Sequence, residues 1–89
     1  MKVRKKNGSI QDFNISKIKL TLERVSDEQG MPFTGSDLRM LTESIQEEIE
    51  KMQKEIVSSA EIHKIVVEKL KTFGFTQIAE AYDSFEKRL

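Results

Sequence analysis

A chain of 89 residues, of which 37% are hydrophobic and 34% charged, has room for one globular domain with one core, and no apolar run in it could span a bilayer. Zero cysteines and a single histidine exclude disulfides, zinc ribbons, iron-sulfur clusters, thiol nucleophiles and histidine-rich metal sites, so we expect the chain to have no metal site of its own. The formal net charge of zero hides a basic segment, residues 1–20, and an acidic remainder, so an anionic partner should meet the N-terminal segment, and a long nucleic acid fits poorly.

The first predicted element is a β-hairpin over residues 1–14. Asn7-Gly8 lies between two short strand-like runs, and Asn-Gly is the strongest short-range hairpin signal because both residues tolerate a positive φ. A two-residue loop would put Val3 and Phe13 on opposite faces of the hairpin, whereas a three-residue loop with Gly8 in a bulge would put them on the same face. We favour the three-residue loop. The segment lacks the apolar stretch of a secretory signal or an anchor, so we expect a cytoplasmic protein.

Apolar residues at steps of three and four predict four amphipathic helices after the hairpin. Asn14 caps the first helix, Thr34 or Ser36 caps the second, and the third follows a capping box formed by Ser58 and Glu61. A β-branched run before that box predicts a third short strand. The predicted bounds are 15–29 for helix 1, 36–53 for helix 2, 55–57 for the strand, 59–73 for helix 3 and 76–88 for helix 4.

These elements predict an α+β fold, in which a four-helix bundle is capped by the hairpin and the third short strand and residues 1–89 form one domain. This arrangement buries every apolar stripe at once, and an isolated hairpin would not be stable without helices to pack on. Met40 and Met52 are expected near the core as helix residues.

Four segments of the chain, in this order, resemble the ATP-cone family. The first two are similar to the family's Val-x-Lys-Arg-Asp-Gly hairpin and the Phe-Asp-x-x-Lys-Ile run that follows it; here they read Val3-Arg4-Lys5-Lys6-Asn7-Gly8 and Phe13-Asn14-Ile15-Ser16-Lys17-Ile18. The other two are similar to the start of the family's third helix and to its closing helix; here they read Ser59-x-x-Ile62-His63 and Ile78-Ala79-x-Ala81-Tyr82-x-x-Phe85. The spacing matches, and the resemblance covers nearly the whole chain.

The resemblance implies a nucleotide-sensing domain. The family is best known as the activity switch of ribonucleotide reductases, where ATP and dATP compete, and as part of a zinc-ribbon repressor of the reductase genes. It therefore implies ATP or dATP as a regulatory ligand, together with Mg²⁺, and contacts with a second copy, a reductase or a regulator subunit. An enzyme would need a nucleophile and base pair, a metal set or a Walker-type loop; the sequence offers none of these, so we expect no catalysis.

The candidate ligand residues begin in the hairpin. Lys5 and Lys6 lie at the turn, where compact ammonium groups beside free backbone donors suit a polyphosphate. Gln11 and Asn14 carry amides that combine donors with an acceptor, as the edge of a base requires, and the matching family positions lie near the base. The first two residues are therefore the predicted phosphate ligands, and the second two are the predicted base readers.

The helices supply the remaining candidates. Lys17 lies one helical turn beyond Asn14 and should face the same pocket, while Ile18 supplies an apolar wall. The resemblance adds three residues from the start of the third helix, where the family closes its site: Ser59, Ile62 and His63.

Several residues depart from the family's pattern. Lys6 stands where arginine is usual and lacks the bidentate fork that arginine offers to a phosphate. Asn7 and Asn14 replace aspartates, and Glu86 stands where a basic residue is common. These departures keep an alternative open, a protein interaction module of the same fold that has lost its ligand. Simpler roles also stay open for two residues. An N-cap role would account for Asn14, and His63 would fit a partly buried structural side chain.

Overall fold

Three short strands and four helices make up the part of the chain that the computed structural model describes, which is the backbone of residues 1–87 with side chains up to residue 85. The α+β class predicted from the sequence is confirmed. In chain order the elements are β1 (Lys2–Arg4), β2 (Ile10–Asp12), α1 (Ile15–Glu28), α2 (Gly35–Lys51), β3 (Ile56–Ser58), α3 (Ser59–Thr72) and α4 (Thr76–Lys87).

Strands β1 and β2 form an antiparallel hairpin in which Val3 lies opposite Gln11. The loop has three residues, because the Lys5 N–H donates to the Ser9 carbonyl at 2.8 Å on its far side. Gly8 closes this loop with a φ of 87°, in the left-handed region that glycine adopts without strain. The three-residue loop is therefore confirmed. Side chains alternate along a strand, so Phe13 lies on the same face as Gln11, two residues earlier. Because Gln11 pairs with Val3, Phe13 and Val3 also share this face.

The third strand joins the sheet on the other side of β1, in parallel, so that the strand order is β2-β1-β3. Val57 lies beside Val3, and both side chains are buried. The row that these two valines form ends on β2 with Gln11, whose side chain is exposed. A polar amide therefore occupies the outer end of an otherwise apolar row.

Helices α1, α2 and α3 each begin at a side chain that bonds a free backbone N–H group. The Thr34 hydroxyl accepts from the Asp37 N–H at 3.0 Å while the Asp37 carboxylate accepts from the Thr34 N–H at 3.2 Å, so Thr34, and not Ser36, caps α2. Ser58 and Glu61 make the same reciprocal pair at the start of α3, as the sequence predicts. Each box satisfies two N–H groups that have no acceptor inside the helix.

The element bounds differ from the predicted ones by one or two residues. Helix α2 starts one residue earlier than predicted because its cap is Thr34, and it ends at Lys51, shortly before Gln53 leaves the helical region with a φ of 53°. The helices α1 and α3 each end one residue earlier, and β3 lies one residue later. Helix α4 is described to Lys87, so the predicted last residue, 88, lies outside the described part of the chain.

Each helix packs against two others: α1 contacts α2 and α4, and α3 also contacts α2 and α4. Helix α3 contacts strand β3 as well. The core that they enclose includes six large aliphatic side chains with almost no exposed surface, namely Leu22, Leu41, Ile45, Ile49, Leu70 and Ile78. Met52 is half-buried against this core, but the expectation for Met40 was wrong, since 40% of its surface is exposed. One residue along a helix turns by about 100°, so the position before Leu41 points away from the core. No helix among the described residues combines the length and apolarity needed to cross a membrane.

Candidate functional site

A cavity of about 140 Å³ lies where the hairpin meets the first turns of α1 and α3, and we call it the α1–α3 cavity. Of the nine predicted site residues, all of which lie in the described part of the chain, eight line this cavity: Lys5, Gln11, Asn14, Lys17, Ile18, Ser59, Ile62 and His63. The other lining residues are Val3, Asp12, Phe13, Thr21 and Tyr82. Segments that lie far apart in the chain therefore meet at one place.

The remaining predicted residue, Lys6, lies in the hairpin loop. Its side chain is exposed, and it is not among the described residues that line the α1–α3 cavity. Lys5 directly precedes the loop and does line the cavity. Of these two consecutive lysines, the structure therefore places the first at the cavity and the second in the loop beside it. The role of Lys6 as a phosphate ligand stays a prediction.

One face of α1 forms a wall of the cavity. Asn14 caps the helix, and its Oδ1 accepts a hydrogen bond of 2.9 Å from the Ser16 N–H. The cap leaves the Nδ2 group of the same amide as a donor for a ligand, so capping and ligand contact are compatible. Lys17, Ile18 and Thr21 follow on the same face, because residues three, four and seven positions apart lie together on a helix.

Two helices point their N-terminal ends at the cavity. An N-terminus carries about half a positive charge from the aligned peptide dipoles, and the first turn of α1, residues 15–18, contains no acidic side chain to offset it. The first turn of α3 contains Glu61, whose carboxylate bonds to the Lys54 ammonium at 2.6 Å and to the Ser58 N–H at 2.9 Å. These two bonds hold the pKa of Glu61 below its ordinary value. With Lys5 and Lys17 added, the arrangement favours an anion.

One carboxylate lines the cavity on the sheet side. Asp12 accepts a hydrogen bond from the Lys2 ammonium across the antiparallel pair, and the bond, with the attraction between the two charges, lowers the pKa of Asp12. Both side chains are well exposed, so solvent screens the pair. Even so, the pair compensates a negative charge that would otherwise oppose an anion in the cavity.

The histidine is held by α4. Its Nε2 atom lies 2.6 Å from Oδ1 of Asp83, and its ring stacks on Tyr82 with a distance of 5.3 Å between ring centres and an angle of 20° between planes. The other ring nitrogen, Nδ1 of His63, is buried and has no hydrogen-bond partner among the described residues. The ring therefore has a fixed orientation and one unused polar atom.

Apolar and polar surfaces share the lining. Val3 and Ile62 are buried core residues, and Phe13 and Ile18 pack against the core from half-buried positions. Such side chains suit the flat, weakly polar faces of an aromatic ring, while the lysines suit charged groups. The cavity therefore combines a surface for an apolar ring with a surface for an anion.

None of the other five lining residues was predicted as a site residue, and neither was Asp83, which contacts His63. Thr21 could have been found, since it lies one turn beyond Lys17 and Ile18 on the same face. Tyr82 was noted only as part of the closing-helix motif. Asp83 left no local signal, because its partner lies 20 residues earlier on another helix.

The side chains that could bind a metal ion do not cluster in the described part of the chain. Among the side chains that the structure describes, no three histidine, cysteine, aspartate or glutamate residues come close enough together to hold a metal ion.

Comparison with known proteins gives two matches. The family model of the ATP cone domain matches residues 1–87. The transcriptional repressor NrdR of Natronomonas pharaonis is 27% identical to the chain over 90 residues, and the match covers 98% of the chain and 54% of the repressor. The chain thus spans about half the length of the curated relative that it matches.

Proposed function

The chain belongs to the ATP-cone family, and on this basis we propose that it is a regulatory module that binds ATP or dATP in the α1–α3 cavity and catalyses no reaction. ATP-cone domains are regulatory and bind these nucleotides as effectors. What is proposed for this chain in particular is the place of binding, the residues that make it, and the way in which binding is transmitted.

The observation that carries the proposal is the meeting of eight predicted site residues from two distant segments around one cavity. Lys5 and Lys17 line the same cavity as the first turns of two helices, a setting that stabilises phosphate groups. Lys6, at the hairpin turn, is proposed as a further phosphate ligand that reaches in from the rim. The triphosphate brings its own Mg²⁺ in this proposal.

The base belongs to the more apolar part of the site. Ile18 and Ile62 face the cavity from α1 and α3 and offer flat contact to a purine. Gln11 and the Nδ2 group of Asn14 offer hydrogen bonds to its edge. Ser59 and His63 complete the lining from the third helix, where a sugar would lie between base and phosphates.

A module that catalyses no reaction can act only through its contacts with other protein chains. We propose that bound nucleotide changes how the chain binds a second copy or a partner, either a ribonucleotide reductase or a regulator of transcription. The relative from Natronomonas pharaonis, named as a transcriptional repressor, supports the second kind of partner. A cytoplasmic location belongs to this proposal because both nucleotides are present there. The poor fit of long nucleic acid stays a prediction from charge alone.

The test is thermal unfolding of the chain with and without nucleotides. A ligand that binds only the folded state stabilises it by about 2.7 kcal/mol at a hundredfold excess over its dissociation constant. We expect the unfolding midpoint to rise with ATP or dATP and to rise less with CTP, which has the same phosphates and a smaller base. No rise with any nucleotide would favour the alternative, an interaction module of this fold that has lost its ligand. An equal rise with all three would overturn the assignment of the base.

A further inference from the structure

The histidine of the α1–α3 cavity makes a hydrogen bond to a residue outside the cavity. His63 lies on α3, whereas Asp83 lies on α4 and is not among the described residues that line the cavity. The 2.6 Å separation between Nε2 of His63 and Oδ1 of Asp83 is short for a hydrogen bond between nitrogen and oxygen. Tyr82, next to the aspartate on α4, stacks on the same ring. The orientation of the imidazole is therefore set by α4.

The chemistry of the contact determines which ring nitrogen carries the proton. A carboxylate only accepts hydrogen bonds, so the contact requires a proton on Nε2 of His63. In the neutral ring, Nδ1 is then an acceptor with a free lone pair. This is the buried atom that has no partner among the described residues. A buried acceptor without a donor is unfavourable, and a bound group that donates to it would remove that penalty.

We propose that Asp83 is a positioning residue of the nucleotide site, which fixes the tautomer and orientation of His63 so that Nδ1 accepts a hydrogen bond from the bound nucleoside. The inference rests on the proposed function, since it concerns the same cavity. Its donor is a hydroxyl or amino hydrogen of the ligand, because a phosphate oxygen carries none. Asp83 itself touches no ligand atom in this scheme.

A purely structural role for Asp83 makes different predictions. The contact also ties α3 to α4, so its loss would lower stability whether or not it matters for the ligand. Only the positioning role requires that the proton distribution of the ring and the affinity for nucleotide change together. The side chain of Asp83 is 38% exposed, so the effect on stability should be small.

The chain allows a direct measurement, because His63 is its only histidine. Long-range ¹H–¹⁵N spectra of the whole chain at pH 8 contain one imidazole and report which nitrogen carries the proton. We expect a single tautomer with the proton on Nε2, and we expect the Nδ1 resonance to move on addition of ATP or dATP. A wild-type spectrum with Nε2 unprotonated would overturn the proposal without any variant.

Three variants complete the test. We expect Asp83→Ala to give a mixture of the two tautomers and a roughly tenfold weaker binding of nucleotide by calorimetry. Asp83→Asn, whose amide oxygen can still accept from Nε2–H, should recover most of the affinity. Ser84→Ala, an exposed neighbour on α4, is the matched control and should leave the tautomer and the affinity unchanged.

The outcomes separate this inference from the proposed function. If the wild-type chain binds neither ATP nor dATP, the proposed function fails and takes the inference with it. If the wild-type chain binds nucleotide and Asp83→Ala binds it equally well, only the inference is overturned. If Asp83→Ala does not fold, the comparison of Asp83→Asn with the wild-type chain decides, since a tenfold loss in that variant would contradict recovery through its amide oxygen.

Discussion

The Lys2 ammonium group donates a hydrogen bond to the Asp12 carboxylate across the hairpin, and only the carboxylate of this pair lines the α1–α3 cavity. Lys2 thus acts on the cavity through the charge of its partner. We predict that Lys2→Ala weakens nucleotide binding a few-fold, because the unpaired carboxylate repels phosphate. Calorimetry at low ionic strength measures the effect, which added salt should reduce.

The double variant separates this explanation from a direct contact. In Asp12→Asn the repelling charge is gone, so adding Lys2→Ala to it should cost little or nothing. If the two substitutions instead add their effects, Lys2 contacts the ligand itself and the compensation argument is wrong.

The lysines of α1 offer a matched pair. Lys17 lines the α1–α3 cavity, whereas Lys19, two residues on, lines a different surface depression, near the start of α2. We predict that Lys17→Ala reduces the affinity for nucleotide by roughly tenfold or more, since a hydrogen bond to a charged group contributes about 1.5–3 kcal/mol. Lys19→Ala should bind nearly as tightly as the wild-type chain. Equal losses would show that only the overall charge of the segment matters.

The same comparison ranks the two hairpin lysines. The sequence predicts that Lys5 and Lys6 both bind phosphate, but only Lys5 lines the cavity among the described residues. We therefore expect a larger loss of affinity in Lys5→Ala than in Lys6→Ala, with both variants keeping the wild-type unfolding midpoint. Calorimetry on both folded variants decides the order, and the reverse order would move the phosphates outward to the turn.

Local signals predicted most of the fold. Asn7-Gly8 gave the position of the hairpin turn, and the pairs Thr34 with Asp37 and Ser58 with Glu61 are short-range patterns that fix helix starts. Apolar periodicity identified the buried faces. It did not place Met40, which has the composition of a core residue but lies off the buried stripe.

The site was less accessible from the sequence alone. Hairpin geometry and helical spacing joined Lys5 to Lys17 by physical argument, but Ser59 and His63 entered only through the family resemblance. No spacing rule links α3 to the hairpin, because their proximity depends on how β3 pairs with β1. The contact between His63 and Asp83 depends in turn on how α3 packs on α4, so the position of one residue in the sequence does not predict its contact with the other.

Gly8 gives a prediction about the hairpin. A Cβ atom there would meet no atom within 4 Å outside the adjacent residues, so the main obstacle is the φ of 87°. We predict that Gly8→Val destabilises the chain by more than about 1 kcal/mol, since left-handed backbone costs an ordinary residue about 1–2 kcal/mol and a β-branched one more. Nucleotide binding should weaken with it, because the turn holds Lys5.

Two variants control for side-chain bulk. Gly8→Asn should be tolerated, since asparagine adopts positive φ readily. Gly35→Ala, at an equally open position with ordinary φ at the start of α2, should not destabilise the chain. Chemical denaturation compares all three, and a Gly8→Val chain as stable as the wild type would contradict the strained turn.

The lowered pKa of Glu61 leads to a prediction about how the stability of the chain depends on pH. Because its pKa in the folded chain lies below the ordinary 4.5, the unfolded chain takes up the proton first as pH falls. The stabilisation from Glu61 is therefore fully present above the ordinary value and is lost as the pH falls through the lowered one. Unfolding midpoints between pH 6 and pH 3 should fall less steeply in Glu61→Gln, which keeps the capping box without the charge. Asp12→Asn should act in the same direction, because its pKa is lowered too. A slope unchanged in both variants would contradict these assignments.

The last prediction concerns assembly. We expect the nucleotide-bound chain to associate with a second copy or a partner more strongly than the free chain does, because a regulatory module can transmit binding only by changing contacts. The requirement is modest, since a coupling of about 1–3 kcal/mol changes association by roughly 5- to 150-fold.

The structure indicates which part of the chain could respond. The hairpin belongs to the cavity through Lys5 and Gln11, yet every residue of β2 is exposed, so few buried contacts hold this strand in place. A ligand held between the hairpin and the first turns of α1 and α3 would order that strand and present one altered surface to a partner. The nucleotide must favour one arrangement over the other, since equal binding to both shifts nothing. Sedimentation of the chain alone, with ATP and with dATP tests self-association, and Lys17→Ala, which should need roughly tenfold more nucleotide for the same change, provides the control. If all three samples sediment as the same species, the partner form remains, and a partner bound equally well with and without saturating nucleotide would overturn the regulatory proposal.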